Sequence, residues 1–187
     1  WALTLFDDLK KASLRGNWLD FSAGQTPAQL MLGEPVPHTF MTMNVPYNRK
    51  WRGLLEPFYG AGAIKREIPR LQAIIDQELK PLRGQDTFDV YHDVANQVMC
   101  INAGYNLGVP RDMAMQARNL IDRMILNRVP GQIGASTPDS QQAAGELMHL
   151  LMQHVQAMRA DPEAGGPQGK VLRDAEVDGQ RLTDEDL

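Results

Sequence analysis

A basic segment in the first third of the chain carries the side chains best suited to binding an anion. In YNRKWRG, Asn48 and Arg52 are four residues apart and share one face of a predicted helix, whereas Arg49 and Lys50 are expected on other sides. A guanidinium can hold a carboxylate through two charge-assisted hydrogen bonds, and an amide can donate a third. Spacing alone favours an ordinary solvated face, so an anion site needs support from elsewhere.

The remaining reactive side chains form no recognisable catalytic or metal-binding set. The four histidines are His38, His92, His149 and His154, and the last two are five residues apart, which does not stack them on one helical face. Cys100 lies in the apolar run NQVMCINAGY, where a cysteine is usually a small buried hydrophobe. No GxSxG, phosphate-binding glycine loop or paired cysteines are found, so the common hydrolase, kinase and zinc classes have no support.

Composition bounds the class of protein. The chain has 187 residues, 43% of them hydrophobic, with one cysteine and a net charge of -4, which is typical of a globular protein. This charge gives no field that attracts nucleic acid. One cysteine cannot form an internal disulfide, and no apolar run approaches the roughly 20 residues of a membrane span. We therefore expect a cytoplasmic protein without a nucleic-acid or membrane partner.

The elements that position these residues are predicted to be mainly helical. A short strand spans 1–6, and a helix with Leu9, Ala12 and Leu14 on its apolar side follows. The stretch 21–45 is too long for a plain connector and contains one short helix, AQLML, between the N-cap Thr26 and Gly33.

Five longer helices follow this loop. The first three predicted helices are 47–59 with a break near Pro57, 64–82 ended by Gly84, and 88–107. The fourth begins at Asp112 and is expected to bury Ala117, Leu120, Ile121, Met124 and Ile125. The fifth begins at Thr137 and Pro138 and is expected to bury Leu147, Leu151, Val155 and Met158. A short helix or irregular piece then precedes a tight turn at Asp178 and Gly179.

The last residues, RLTDEDL, contain a helix start signal that no helix follows. Thr183 and Asp186 are spaced as in a capping box, with Asp in place of the usual Glu or Gln. Either the motif arises by chance or the sequence is part of a longer protein.

The order of these segments resembles the N-terminal half of a soluble cytochrome P450, a heme-thiolate monooxygenase. The matching blocks are WALTLFDDLKKASLRGNWLDFS, NVPYNRKWRGLLEPFYGAGAI, EIPRLQAIIDQELKPL, FDVYHDVANQVMCINAGYNLGVP and AEVDGQRLTDEDL. The resemblance implies one catalytic domain with a strand and B helix in 1–22, a substrate loop in 23–45, C, D and E helices in 46–109, F and G helices with a lid loop in 110–160, and the H region and I-helix start in 161–187.

The resemblance also implies a cofactor, heme b, and residues that hold it. Arg52 matches the C-helix arginine that binds a heme propionate, and Asn48 stands where histidine is common. The residues expected to contact an apolar substrate are Leu30, Met31, Phe40, Met41, Met43, Leu120, Met124, Ile125 and Val129. Cys100 falls outside the ligand position, so the iron-ligating cysteine is expected beyond Leu187 and no catalytic residue is expected within this sequence.

An electron donor and dioxygen complete the implied reaction. Arg49, Lys50, Lys65 and Arg66 form a basic cluster on the side where the family docks a ferredoxin, flavodoxin or fused reductase, although a solvated surface explains the same charges. The alternative function is a non-catalytic helical ligand-binding or interaction module that lacks heme.

Overall fold

The computed structural model describes residues 4–14, 20–24, 26–36, 39, 41–127, 129, 131, 135–161 and 163–187. Within these ranges the chain is mainly helical, which confirms the predicted fold class. Of the predicted strand 1–6, residues 1–3 lie outside the described residues, and Phe6 already belongs to the first helix. The helices are α1 (Phe6–Leu14), α2 (Pro27–Leu32), α3 (Tyr47–Tyr59), α4 (Ala61–Leu79), α5 (Asn96–Leu107), α6 (Arg111–Leu126), α7 (Pro138–Ala160) and α8 (Pro167–Asp174).

Side-chain caps begin α2 and α7 where the sequence predicts them. The Thr26 hydroxyl accepts a hydrogen bond from the Gln29 N–H at 3.2 Å, and the Gln29 side chain accepts one from the Thr26 N–H at 3.1 Å. Gly33 ends α2 with a φ of 69°, a left-handed conformation that suits glycine. Thr137 accepts from the Ser140 N–H at 3.1 Å at the start of α7. Both helix starts are confirmed.

The bounds predicted for the helix 47–59 are confirmed, but two other predictions are wrong: the break near Pro57 and the start of a regular helix at residue 88. Helix α3 continues through Pro57 to Tyr59, because a proline this close to the C-terminus removes only one hydrogen bond of the last turns. The helix predicted from residue 88 begins with a π-helical turn, Val90–Ala95, that leads into α5. Asp89 sets that start, since its carboxylate accepts hydrogen bonds from two successive backbone amides.

Helix α5 lies at the centre of the packing and contacts α4, α6 and α8. Its Cys100 is buried, as predicted, and burial raises the pKa of this thiol, which favours the protonated form. Leu120 of α6 and Ala143 and Met158 of α7 are also buried. Two residues predicted to point inward are exposed instead, Ile125 by 60% and Leu151 by 41%.

Helix α8 crosses α5 at backbone contact. A Cβ atom placed on Gly166 would lie 1.9 Å from the carbonyl oxygen of Tyr105, so only glycine fits this position. After α8, the predicted turn at Asp178 and Gly179 is confirmed, but it joins two short strands, β1 (Glu176–Val177) and β2 (Gln180–Arg181). The sequence did not predict this antiparallel hairpin.

Arg159 of α7 makes hydrogen bonds to α8 and to the residues that follow β2. Its guanidinium donates to the carbonyl of Arg173 at 2.8 Å, to the carbonyl of Leu182 at 2.5 Å and to the carboxylate of Asp184 at 3.0 Å. Beyond it, the Asp186 carboxylate accepts from the Thr183 N–H at 2.8 Å, which forms the back-bond of the predicted capping box.

Apolar side chains remain uncovered on several of the long helices. In the described ranges, no large apolar side chain is completely enclosed. Ile64 and Ile68 of α4 are 52% and 54% exposed, and Met148 of α7 is 60% exposed. Exposed apolar faces of this kind are typical of surfaces that pack against further polypeptide. None of the described helices combines the length and the apolar character needed to cross a bilayer.

Candidate cofactor-binding site

An open groove of about 790 Å³ runs along one face of α3. Its lining residues are Asn48, Arg49, Arg52, Gly53, Leu55, Glu56, Tyr59 and Gly60. Several of these are four residues apart, which places them along the same side of the helix. The predicted pair, Asn48 and Arg52, therefore lies in one groove.

Arg52 is exposed in this groove and has no ion-pair or hydrogen-bond partner among the described residues. Arginines on neighbouring helices differ: Arg111 holds Glu78 at 2.9 Å, and Arg123 holds Asp139 at 2.5 Å. A guanidinium has five donors in a planar fork that matches a carboxylate. Arg52 is therefore available to an anion that enters the groove.

Two sets of hydrogen bonds hold the ends of α3. At its start, the Asn44 side chain accepts from the Phe21 N–H at 2.9 Å and donates to Asp20 at 2.7 Å, while its carbonyl accepts from the Asn48 N–H at 3.1 Å. The hydrogen bond from Asn44 and that from Ser22 lower the pKa of the Asp20 carboxyl, which stays ionised.

At the C-terminal end of α3, the Tyr59 hydroxyl donates to Gln168 of α8 at 3.2 Å, and Gln168 is buried. The helix is thus fastened to the loop before it and to α8 behind it. Because hydrogen bonds hold both ends of α3, the helix that carries Asn48 and Arg52 is a well-supported element for a binding site.

The charges in the groove favour an anionic ligand. Arg49 and Arg52 bring two positive charges, and Glu56 brings one negative charge. Arg49 was expected on another side of the helix, and this expectation is wrong, because the groove is wide enough to include a residue three positions before Arg52. The same spacing of four leads from Arg52 to Glu56, a signal in the sequence that the prediction for Asn48 and Arg52 did not include.

The remaining predicted basic residues have different surroundings. Lys50 points away from the groove, pairs with Asp178 of the hairpin and lies 5.5 Å from the centre of the Tyr47 ring. Lys65 and Arg66 are exposed in the first turns of α4. Lys50, Lys65 and Arg66 therefore lie on the surface, where the structure does not test their role in electron transfer.

The residues predicted to contact substrate differ in burial. Leu30, Met31, Met41 and Ile125 are exposed, Met43 and Leu120 are buried, and Met124 and Val129 are half-buried. Phe40 lies outside the described residues, as does His38. Among the described residues, one hydrogen bond that joins the two predicted pocket segments runs from the Ser136 N–H to the Glu34 carboxylate at 2.6 Å. Sequence reasoning missed this pair.

No three His, Cys, Asp or Glu side chains of the described ranges come together as a metal site. His154 bonds to the Leu107 carbonyl at 2.9 Å, and His149 to Gln153 at 3.0 Å, so these two residues have structural partners.

Comparison with known proteins decides the fold family. No protein-family model matches the chain. YjiB of Bacillus subtilis (strain 168), provisionally named a cytochrome P450, is 24% identical over 190 residues, which cover 100% of this chain and 46% of YjiB. The structure of a mutant of P450 EryK in complex with erythromycin B matches with a TM-score of 0.67 at 20% identity, over 91% of this chain and 45% of EryK. This chain has the cytochrome P450 fold.

The predicted resemblance to the cytochromes P450 is confirmed, and with it heme b as the cofactor of that family. The cyclomarin C epoxidase CymV of Salinispora arenicola (strain CNS-205) is a further relative, 27% identical over 157 residues that cover 78% of this chain and 36% of CymV. The chain spans less than half the length of these relatives. The activity of a whole cytochrome P450 is therefore a proposal for this protein.

Proposed function

We propose that this chain is part of a heme-thiolate monooxygenase that inserts one oxygen atom from O2 into an apolar organic substrate. The observation that carries the proposal is the Arg52 guanidinium, which has no partner in the described part of the chain and lies in the α3 groove of a cytochrome P450 fold. The exposure of this side chain in the groove supports the propionate-binding role that we propose for it.

The groove fits the anionic edge of heme b on three counts. Its open side leaves about 790 Å³ along α3, into which the edge of a cofactor can enter. Its two guanidinium groups match the two propionates of heme in number and charge. No described atom would lie within 4 Å of a Cβ on Gly53, so the middle of the groove is open.

The residues of the chain have binding and orienting roles in this proposal. Arg52 and Arg49 hold carboxylates through charge-assisted hydrogen bonds, and the Asn48 amide donates to the same edge. Asn48 cannot become cationic, so it contributes less than a histidine at this place would. When bound, heme supplies the iron at which dioxygen is activated.

The proposal also includes an apolar organic substrate and a protein electron donor. CymV is a cyclomarin C epoxidase and the EryK structure contains erythromycin B, so two similar proteins act on or bind organic compounds. The methionines and aliphatic residues near the α2–α3 and α6–α7 loops suit an apolar substrate. Lys50, Lys65 and Arg66 suit a ferredoxin, flavodoxin or fused reductase with an acidic face, in the cytoplasm.

The carbon monoxide difference spectrum tests this function directly. The protein produced from the complete reading frame is reduced and exposed to carbon monoxide. We expect the red-shifted Soret band of a thiolate-ligated heme. A protein that folds without heme and gives no such band is the helical binding or interaction module that the sequence allowed as an alternative.

A further inference from the structure

A negative charge lies inside the groove whose other charged side chains are positive. Glu56 lines the α3 groove together with Arg49 and Arg52, and all three residues are exposed. Because Glu56 follows Arg52 by four residues, their Cβ atoms are about 5–6 Å apart on one face of the helix. Among the described residues, the structure gives no ion pair between these two side chains. The Glu56 carboxylate is therefore exposed to whatever enters the groove.

The stability of α3 does not account for this carboxylate. Glu56 lies in the last turn of the helix, where its carbonyl accepts a hydrogen bond from the Gly60 N–H at 3.2 Å. The C-terminal end of a helix carries a partial negative charge, so a carboxylate there is unfavourable. An arginine followed four residues later by a glutamate is also the weaker of the two orders for an ion pair. The helix therefore gains no stability from the charge of Glu56.

The charges give the groove two unlike halves. The N-terminal half contains Asn48, Arg49 and Arg52, and the C-terminal half contains Glu56 and Tyr59 at the negative end of the helix dipole. Arg49 and Glu56 are seven residues apart, which corresponds to about 10 Å along the helix axis. An anion in the groove is therefore attracted to one half and repelled from the other.

The other polar side chain of the C-terminal half does not offset this repulsion. The Tyr59 hydroxyl donates its hydrogen to the Gln168 side chain at 3.2 Å, and Gln168 is buried. A tyrosine hydroxyl has only one hydrogen to donate. Tyr59 therefore has no donor left for an anion, and the charge of Glu56 dominates this half.

Coulomb's law gives the size of the effect. Two like unit charges about 6 Å apart in water weaken binding by about threefold. The penalty multiplies with each ligand charge nearby, so a compact anion with three charges is disfavoured by about tenfold or more. Because the groove is open, salt reduces these factors.

We propose that Glu56 is a specificity-determining residue of the α3 groove. Its charge repels anions from the C-terminal half, so the groove accepts an edge that places its carboxylates at Arg49 and Arg52 and rejects compact polyanions such as polyphosphates. Repulsion of the wrong ligand is a common source of specificity in binding sites. The consequence for heme b rests on the proposed function: Glu56 keeps the propionate edge near the N-terminal half and weakens its binding.

Heme loss to an acceptor apoprotein, measured on the holoprotein from the complete reading frame, tests the effect on heme. Glu56→Gln should slow heme loss by about threefold at low ionic strength, and this difference should shrink in salt of about 0.5 M. Glu56→Asp keeps the charge and should match the wild type. The matched control is Asp86→Asn, which removes an exposed carboxylate outside the groove, between α4 and the π-helical turn, and should leave the rate unchanged.

Heme dimethyl ester separates the charge of Glu56 from its packing, because its esterified propionates are neutral. Protein reconstituted with this ester should lose it at the same rate in the wild type and in Glu56→Gln. The proposal is overturned if Glu56→Gln loses heme as fast as Asp86→Asn does. Equal slowing of heme and of its ester would also overturn it, since packing and not charge would then be responsible.

Binding of inorganic pyrophosphate tests the rejection of polyanions without heme. In calorimetric titration of the full-length protein without bound heme, Glu56→Gln should bind pyrophosphate about tenfold more tightly than the wild type. Adding Arg52→Ala to this variant should remove the gain. Equal affinity in Glu56→Gln and the wild type, or no binding to either, overturns the proposal. A protein that never takes up heme would refute the proposed function, whereas the pyrophosphate result would still decide the role of Glu56.

Discussion

Replacing Gly166 with alanine should strongly destabilise the protein. The new Cβ atom would lie 1.9 Å from the Tyr105 carbonyl oxygen and 2.7 Å from both the Asn106 oxygen and the Gly108 nitrogen. All three neighbours are backbone atoms of α5 and its C-cap, so no side chain can rotate away. A carbon and an oxygen normally approach to about 3.3 Å. Helix α8 must therefore withdraw by roughly 1.4 Å.

The cost has two parts. Overpacking of this kind costs typically about 1–3 kcal/mol, and the withdrawal also strains the hydrogen bond between Tyr59 and Gln168, worth about 1 kcal/mol. The free energy of unfolding should fall by about 3 kcal/mol, a large part of the roughly 5–15 kcal/mol of a typical protein. In urea denaturation followed by circular dichroism, the midpoint should drop by about 1 M or more.

Gly145 provides a control of opposite sign. It lies in the interior of α7, is exposed, and has no atom within 4 Å of an added Cβ. Gly145→Ala should therefore stabilise the protein by roughly 0.5–1 kcal/mol, because alanine favours the helix. If Gly166→Ala unfolds at the same urea concentration as Gly145→Ala, the close crossing of α5 and α8 is not as described.

Two further changes probe the groove and the α6–α7 connector. Arg49→Ala should speed heme loss to an acceptor apoprotein by about tenfold, since a charge-assisted bond is removed. Lys50→Ala loses its contacts with Asp178 and the Tyr47 ring, both outside the groove, and should not speed heme loss. Equal rates in the two variants would return Arg49 to the donor-docking surface. The hydrogen bond from Arg123 lowers the pKa of the Asp139 carboxyl in the folded protein. The ionised carboxylate therefore stabilises the folded state at pH values above its unfolded pKa of about 3.9. This stabilisation is lost as the pH falls through the lowered pKa of the folded state. Below about pH 4 the amides of 127–139 should lose protection, measured as the exchange rate divided by the intrinsic rate at each pH. A loss of protection of the same size in Asp139→Asn would contradict this assignment.

Local signals in the sequence were sufficient for most helices. The N-caps Thr26 and Thr137 and the stop at Gly33 each act through neighbouring residues, so short motifs identify them. The hairpin around Asp178 was missed because strands of two residues are too short to show an alternating pattern. The break at Pro57 was predicted from the residue type alone, although a helix that ends two residues later loses little.

The candidate site was predictable only in part. The spacing of Asn48 and Arg52 gives their common face, because four residues make about one turn of a helix. The Arg52 guanidinium has no partner among the residues that the structure describes, and this depends on what folds against α3, which no local pattern contains. The Glu34 bond to Ser136 could not be predicted for the same reason, since 102 residues separate its ends.

Heme retention by an Arg52 variant tests the central claim most directly. The claim is that the α3 groove holds the anionic edge of heme b through this guanidinium. Arg52→Ala should lower the heme-to-protein ratio of the purified protein and speed heme loss by about tenfold or more, while Arg66→Ala, on the surface of α4, should match the wild type. Full heme content and wild-type retention in Arg52→Ala would contradict the account.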